Sequence, residues 1–192
     1  MALPRLLAFS GSTRNGSYNQ AVLDVAVRAA RDEGADVTAI SLKDYPMPLF
    51  SADLEAESGI PESVKELKAR FLEADGLILA SPEYNSAFSP LLKNTIDWCS
   101  RAESDVEPPL AAYSGKTALL LAASPGALGG LRGLYALRTL LQNIGITVYA
   151  EMLAVRSVYE LVDESGALSD PKWIAKIEGL ASDYASFAEK LS

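Results

Sequence analysis

The chain has 192 residues, 49% of them hydrophobic and 22% charged, which predicts one globular domain over residues 1–192 with a substantial core. Its net charge of −8 would repel a phosphate backbone, so nucleic acid is not expected as a partner. The chain has no histidine and a single cysteine, Cys99, which argues against His-based catalytic triads, internal disulfides and the common metal sites.

The chain begins with a short apolar run, RLLAFS at residues 5–10, which predicts a first strand. This apolar stretch is too short for a secretory signal, and no small-residue cleavage site follows it. No apolar run approaches the roughly 20 residues that a membrane span requires. Together with the single cysteine, these features predict a cytoplasmic protein with no membrane partner.

A helix follows the first strand. Apolar residues recur at helical spacing through NQAVLDVAVRAARDEG, from Asn19 until Gly34 interrupts the pattern. The next stretch, ADVTAISL at residues 35–42, is rich in β-branched residues and predicts a second strand parallel to the first. Residues 43–60 contain two prolines and show no clear period, so they predict a long loop, which in compact domains is often functional or interface-forming.

Helices and strands continue to alternate up to the end of the chain. Helices are predicted over 61–75, 89–102, 134–145 and 170–192, and strands over 76–81, 116–124 and 146–155. Ser89 is the predicted N-cap of the 89–102 helix, with Pro90 in its first turn. Because the strands are apolar throughout, they predict a five-stranded parallel sheet with helices on both faces, a three-layer α/β sandwich.

A sheet of this kind binds ligands at one edge. For the strand order 2-1-3-4-5, the crevice lies beyond the carboxyl ends of the strands, where the order reverses between strands 1 and 3. The loops after strands 1, 3 and 4 border that crevice, and they are residues 10–19, 81–89 and 124–133. These loops are also the most unusual in composition, so the binding site is predicted among them.

The first loop, SGSTRNGSYN at residues 10–19, is rich in hydrogen-bond donors. It lacks both the lysine of a nucleotide-binding P-loop and the Gly-x-Gly-x-x-Gly spacing of a dinucleotide site. A helix N-terminus with clustered hydroxyls and one arginine suits a single phosphate monoester. The alternative is an ordinary capped turn with a solvated arginine. The candidate binding residues are Ser10, Ser12, Thr13, Arg14, Ser17, Tyr18 and Asn19.

The second loop, SPEYNSAFS, places Pro82, Glu83, Tyr84 and Asn85 at the same edge. Proline and tyrosine would form a rigid, flat wall, while backbone amides and the Asn85 side chain would face the polar edge of a planar ligand. The alternative is a simple β-turn, since proline and asparagine are common turn residues.

The third loop, SPGALGGLRG, has four glycines within eight residues, at positions 126, 129, 130 and 133. Without side chains, this backbone could approach a ligand closely. The alternative is a flexible connection. The candidate binding residues are Ser124, Pro125, Gly126, Ala127, Gly129 and Gly130.

Other polar residues have simpler explanations. Asp97 and Arg101 are four residues apart on one predicted helix, which favours a surface ion pair. Cys99 lies on an apolar helix face with no basic residue beside it, so we interpret it as a packing residue rather than a nucleophile.

Three motifs, in this order between five βα units, resemble the NAD(P)H-dependent FMN reductase family of flavodoxin-like proteins, which includes bacterial quinone, chromate and azo-dye reductases. The motifs are GSTRNGSYN at 11–19, SPEYNSAFSPLLKNTIDW at 81–98 and SPGALGGLRG at 124–133, and the element order matches over about residues 4–190. The resemblance implies that Ser12, Arg14, Ser17 and Asn19 hold the FMN phosphate. It also implies that residues 82–85 line the isoalloxazine and ribityl groups mainly through backbone atoms, and that Ser124 and residues 126–130 complete the pocket.

The resemblance further implies a homodimer or homotetramer, with Lys93, Asn94, Asp97 and Arg101 of the 89–102 helix at the interface. It implies that FMN takes a hydride from NADPH or NADH and passes electrons to a small acceptor, such as a quinone, a flavin, an azo compound or a metal oxyanion. In a chain this short, donor and acceptor would take turns in a ping-pong mechanism without a catalytic side chain. The alternatives are a non-enzymatic flavodoxin-type electron carrier and a flavin-free phosphate-binding scaffold.

Overall fold

A computed structural model describes residues 3–191 and contains a parallel sheet of order β2-β1-β3-β6-β7. The order confirms the predicted arrangement, with β6 and β7 as the fourth and fifth strands of the sheet. Leu6 of β1 pairs with Val37 on one side and with Gly76 on the other. The strands of this sheet are β1 (Arg5–Ser10), β2 (Asp36–Ala39), β3 (Gly76–Ala80), β6 (Thr117–Ala123) and β7 (Thr147–Val155).

Six helices surround the sheet within the described residues: α1 (Tyr18–Asp32), α2 (Ala52–Ser58), α3 (Glu62–Glu73), α4 (Pro90–Cys99), α5 (Leu131–Asn143) and α6 (Pro171–Glu189). Helices α1 and α6 pack on one face, where Val22, Ile177 and Ile78 belong to one buried apolar cluster. Helices α3, α4 and α5 pack on the other, where Phe71, Leu134 and Leu79 belong to a second cluster. The fold is therefore the predicted flavodoxin-like three-layer sandwich.

The central strands are buried on both faces because neighbouring residues supply opposite core layers. Every residue of β3 and β6 is buried, and Leu119 and Leu120 contribute to different layers. Cys99 is also buried, and burial raises the pKa of its thiol to about 12, which confirms it as a packing residue. None of the helices within residues 3–191 is long and apolar enough to cross a membrane.

The prediction that residues 43–60 form a loop without regular structure is wrong. Leu42–Asp44 form a 3₁₀ turn, and α2 begins after Ser51, whose Oγ accepts a hydrogen bond from the Leu54 N–H. The segment between them is held by α4, because the Asn94 amide bonds both the Pro48 carbonyl and the Phe50 N–H. A helix of seven residues that follows two prolines is too short for its helical periodicity to be recognised in the sequence.

Two further predictions about helices need correction. Helix α5 begins at Leu131, three residues before the predicted start, because the Gly-Gly pair directly precedes it. Asp97 pairs with Lys93, whose Nζ lies 2.7 Å from both carboxylate oxygens, and not with Arg101. Since α4 ends at Cys99, Arg101 lies beyond the helix and donates to Glu55 instead.

Candidate functional site

The loop after β1 is tied closely to its neighbours at the carboxyl edge of the sheet. The Gly11 N–H donates to the Ala80 carbonyl at 2.8 Å, and the Ser89 hydroxyl donates to the Gly11 carbonyl at 2.6 Å. Ser89 also caps α4 as predicted, accepting from the Leu92 N–H. A Cβ at Gly11 would lie 2.9 Å from Ser89 Oγ, so a side chain there would displace the Ser89 hydroxyl. Sequence reasoning missed this role of Gly11 and Ser89, which are far apart in the chain.

The N-terminus of α1 is open. Ser17 occupies the N-cap position and is buried, yet within residues 3–191 its side chain makes no capping hydrogen bond. By contrast, Ser51, Ser89 and Asp170 cap α2, α4 and α6 through their side chains. Since the first-turn N–H groups of a helix lack partners within the helix, α1 presents free donors and a positive dipole end. The arrangement favours an anion.

Arg14 adds a fixed positive charge beside these donors. Its side chain is exposed, and its guanidinium carbon lies 5.1 Å from the centre of the Tyr18 ring. One guanidinium nitrogen donates to the neighbouring Asn15 carbonyl at 3.2 Å. Most of the guanidinium donors therefore still face outward, and they could fork onto two oxygens of a phosphate.

A cavity of about 290 Å³ joins all three predicted loops. The first loop contributes five residues, the second contributes Pro82, Glu83 and Tyr84, and the third contributes Ser124 and Pro125. Among the lining residues, Ala123 alone was not a candidate. The residues lining the cavity are Ser12, Arg14, Ser17, Tyr18, Asn19, Pro82, Glu83, Tyr84, Ala123, Ser124 and Pro125.

A wider cleft of about 730 Å³ lies on the other side of the first loop, towards β2. It shares Ser12, Arg14 and Ser17 with the smaller cavity, and Thr13 borders the cleft only. Lys43 lies on its far wall and donates to the Asn15 side-chain oxygen at 2.7 Å. The first loop therefore divides two open spaces at the sheet edge.

Two candidate residues of the first loop, Ser10 and Asn19, are buried and form hydrogen bonds within the protein. Ser10 is buried, and its Oγ accepts from the Ser12 N–H at 3.2 Å. The Asn19 amide accepts from the Ala123 N–H at 2.9 Å and donates to the Ala123 carbonyl at 3.1 Å. Asn19 therefore joins α1 to the end of β6, and its capacity for a ligand is mostly used.

The second loop folds as a tight hairpin of β4 (Glu83–Tyr84) and β5 (Ala87–Phe88). The two residues between the strands, Asn85 and Ser86, have φ values of 52° and 69°, which define a type I′ turn. Asn85 lies at the exposed tip, outside the cavity, so the prediction that its side chain faces the ligand is not supported. Pro82 and Tyr84 do line the cavity.

Most of the glycines in the third loop serve the packing of this chain. A Cβ at Gly129 would lie 2.8 Å from backbone atoms of residues 154–156, and a Cβ at Gly130 would lie 2.7 Å from the Ala122 Cβ. Both glycines also have positive φ. These two glycines are therefore required by the packing of the chain, and their approach to a ligand stays a prediction. Gly126 and Ala127 are exposed, and the Gly126 N–H donates to Ser124 Oγ.

The N-terminus of α5 is closed by Glu83. The Glu83 carboxylate accepts from Arg132 Nε at 2.8 Å, from Arg132 Nη2 at 2.5 Å and from the Gly133 N–H at 2.9 Å. Burial acts to raise the pKa of Glu83, but the Gly133 hydrogen bond and the Arg132 ion pair outweigh it, so the pKa lies below its ordinary value. Glu83 is thus an ionised structural group, a role that the sequence did not predict, since the resemblance implied mainly backbone contacts with a ligand.

The site can therefore hold an anion at α1 and a flat group between the hairpin and the third loop. Among the described residues, no group of three Asp, Glu or Cys side chains is placed to hold a metal ion.

Comparisons with known proteins agree with this geometry. A family model described as NADPH-dependent FMN reductase matches residues 4–160. An NAD(P)H-dependent FMN reductase of Pseudomonas aeruginosa is 35% identical over 173 residues, covering 88% of this chain and 86% of the relative. A quinone reductase of Escherichia coli K12 is 37% identical over 190 residues, covering 97% and 96%. The structure of FerB, a flavoenzyme NAD(P)H:(acceptor) oxidoreductase from Paracoccus denitrificans, superposes with a TM-score of 0.81 at 25% identity, covering 98% of both chains.

Proposed function

The chain belongs to the family of NADPH-dependent FMN reductases, and from that premise we propose which of its residues hold the cofactor and what the enzyme reduces. Its activity is NAD(P)H-dependent oxidoreduction with FMN as cofactor. We also propose that residues 1–192 form one FMN-binding domain.

The FMN phosphate binds at the N-terminus of α1 in this proposal. The observation that carries it is the contrast in capping: the Ser17 hydroxyl is unbound within the described residues, whereas α2, α4 and α6 are capped by side chains. A phosphate dianion would accept from the first-turn N–H groups and from Ser17, and Arg14 would neutralise part of its charge. The donor set therefore fits the group.

The flavin ring and the ribityl chain would occupy the cavity beside Pro82, Tyr84, Ser124 and Pro125. Pro82 is buried and rigid, and Tyr84 is 52% exposed, so together they offer a fixed wall and an open aromatic edge. When bound, FMN supplies the redox chemistry, taking a hydride from NAD(P)H and passing electrons to a second substrate. The residues of this chain bind and orient it.

Donor and acceptor would use the same open face in turn, which gives ping-pong kinetics. The Asn19 amide and the Glu83 carboxylate at the cavity are already bonded within the protein, and we propose that no lining side chain acts as an indispensable acid or base. An alanine variant outside the phosphate loop that keeps FMN but abolishes turnover would contradict this part of the proposal.

A quinone is the proposed acceptor. The E. coli K12 relative that shares 37% identity over 190 residues is a quinone reductase. The exposed Tyr84 and Leu128, on the second and third loops, provide apolar surface that suits an aromatic ring. Free flavin, azo compounds and metal oxyanions are further candidate acceptors, and NADH and NADPH are both candidate donors.

A homodimer or homotetramer is also proposed. A groove of about 450 Å³ between α4 and α5 is lined by Ile96, Leu110, Leu140 and Ile144. Tyr135 of α5 is 58% exposed, which adds to the apolar surface on this side. Asn94, which we expected at the interface, is already bonded to Pro48 and Phe50 of its own chain, so Lys93 and Asp97 are the more accessible polar residues of α4. Sedimentation analysis of the purified protein tests this.

The cytoplasm is the proposed location. The chain has one cysteine, which is buried and therefore needs no oxidising compartment. Fractionation of cells that produce the tagged chain tests this proposal, and recovery outside the cytoplasm would contradict it.

The visible spectrum and the turnover of the purified protein test the proposed function. We expect a yellow protein, or one that takes up added FMN, which oxidises NADH or NADPH with a quinone as acceptor. FMN binding without nicotinamide oxidation would indicate an electron carrier instead. A colourless protein that does not bind FMN would indicate a phosphate-binding scaffold.

A further inference from the structure

We propose that Glu83 is a positioning residue for the flavin: its carboxylate fixes the β4–β5 hairpin to the N-terminus of α5 and thereby holds the wall of the flavin cavity in place. This inference rests on the proposed binding of FMN in that cavity. Glu83 acts through Pro82 and Tyr84, its neighbours in the chain, which line the cavity.

Glu83 joins the hairpin to the first turn of α5 through Arg132 and Gly133. The Glu83 side chain is 8% exposed and receives three hydrogen bonds, two from the Arg132 guanidinium and one from the Gly133 N–H. A Cβ at Gly133 would lie 3.2 Å from both the Glu83 Cβ and the Ala87 carbonyl oxygen. The hairpin therefore lies directly against the first turn of α5, and the absence of a side chain at Gly133 permits the contact.

The Glu83 carboxylate also acts on the positive N-terminal end of α5. Gly130 is the N-cap of α5 and, having no side chain, cannot cap it. The Glu83 carboxylate takes that place, accepting from the third residue of the helix and opposing the positive end of its dipole. Since Gly130 is the residue of the third loop directly before α5, the carboxylate from the second loop ties the end of the third loop to the hairpin.

The β4–β5 hairpin is very short. Its two strands have two residues each and are joined by a two-residue turn in the left-handed region, and such a short ribbon is not stable alone. Contacts with α5 therefore support its position. Removing the carboxylate would leave Arg132 and the Gly133 N–H without this acceptor and would let Pro82 and Tyr84 shift relative to Ser124.

A matched control exists at the opposite edge of the sheet. The Asp75 carboxylate accepts from Arg5 Nε at 3.1 Å, from Arg5 Nη2 at 2.7 Å and from the Arg5 N–H at 2.9 Å. It therefore makes the same set of contacts, a guanidinium and a backbone N–H, at the amino ends of the strands. Asp75→Ala should destabilise the protein without moving the flavin cavity.

The test compares the wild type with Glu83→Ala, Glu83→Gln and Asp75→Ala by FMN titration, visible-region circular dichroism of the bound flavin and thermal unfolding. Glu83→Ala and Asp75→Ala should both lower Tm. Only Glu83→Ala should also weaken FMN binding, by about tenfold, and change the flavin dichroism, because a looser wall holds the ring less rigidly. Glu83→Gln, which keeps an acceptor for the Gly133 N–H but loses the charge, should fall between the wild type and Glu83→Ala.

Unchanged FMN affinity and dichroism in Glu83→Ala would overturn the inference, as would equal flavin effects in Asp75→Ala. If Glu83→Ala does not fold, Glu83→Gln decides by the same two flavin measurements. The proposed function fails separately: in that case the wild type and Asp75→Ala would themselves bind no FMN, and the inference would fail with it.

Discussion

Helices α1 and α5 both begin after glycine-containing loops at the carboxyl edge of the sheet, yet their N-termini differ. At α1 the N-cap Ser17 is unbound within residues 3–191, and Arg14 stands nearby. At α5 the N-cap is Gly130, and the Glu83 carboxylate already occupies the anion position. A glycine-rich loop before a helix is therefore not enough for a phosphate site. A residue from elsewhere in the fold decides whether the helix end is free.

Replacing glycine by alanine should lower the stability of the protein more in the third loop than in the first, and this is the largest expected difference. Gly129→Ala should cost about 3 kcal/mol of unfolding free energy, because its φ is 62° and the new Cβ would lie 2.8 Å from three backbone atoms. Gly16→Ala in the first loop should cost only about 1 kcal/mol, since a Cβ there meets no atom of the described residues within 4 Å. Urea denaturation measures both, and equal losses would contradict the assignment of Gly129 to packing.

Arginine removal tests the ligand side of the comparison. Arg14→Ala should weaken FMN binding by roughly 1.5 to 3 kcal/mol, the scale of a charge-assisted hydrogen bond, while leaving the stability of the FMN-free protein nearly unchanged. Fluorescence titration with FMN measures this. Arg28→Ala is the charge-matched control, because Arg28 is exposed further along α1. Equal affinity in the two variants would argue against a phosphate contact by Arg14.

Two serines at helix N-caps should behave oppositely. Ser89→Ala should cost about 1 to 2 kcal/mol of stability, because Ser89 caps α4 and donates to Gly11. Ser17→Ala should leave the FMN-free protein unchanged within about 0.5 kcal/mol but weaken FMN binding by about 1 kcal/mol. A large loss of stability in Ser17→Ala would mean that the hydroxyl has a structural partner.

The smallest expected effect is the loss of the Glu83 contribution to stability at low pH. The folded-state pKa of Glu83 is lowered, so its contribution to stability is fully present above the unfolded value near about 4.3 and is lost as the pH falls through the folded pKa. The gap in unfolding free energy between the wild type and Glu83→Gln should therefore be about 1 kcal/mol at pH 7 and should shrink below about pH 4. Urea midpoints across that range test the sign, and a gap that grows in acid would contradict it.

Local sequence patterns predicted the sheet well, and they also selected the first loop, whose role in phosphate binding stays a prediction. The apolar runs of β3 and β6 indicated strands buried on both faces, and the loop with Arg14 and Ser17 stood out by composition. The same patterns could not reveal α2 or the hairpin, because a seven-residue helix and two-residue strands are shorter than the stretches of about 11 and about 4 residues over which helix and strand periodicity is recognised.

The tertiary contacts of the site had no local signal. Glu83 and Gly133 are 50 residues apart, and Asn19 and Ala123 are 104 apart. Each pair forms only when the strands are assembled, so a sequence reading assigned Asn19 and Glu83 to the ligand alone. The packing role of Gly129 and Gly130 could not be predicted for a related reason, since glycine gives the same signal whether it approaches a ligand or a neighbouring strand.

The affinity of the purified protein for FMN and for riboflavin, which lacks the phosphate, tests the central claim most directly. If the open N-terminus of α1 holds the phosphate, FMN should bind at least about 100-fold more tightly, and most of that difference should disappear in an Arg14→Ala, Ser17→Ala double variant. Equal affinity for FMN and riboflavin in the wild type would contradict the claim.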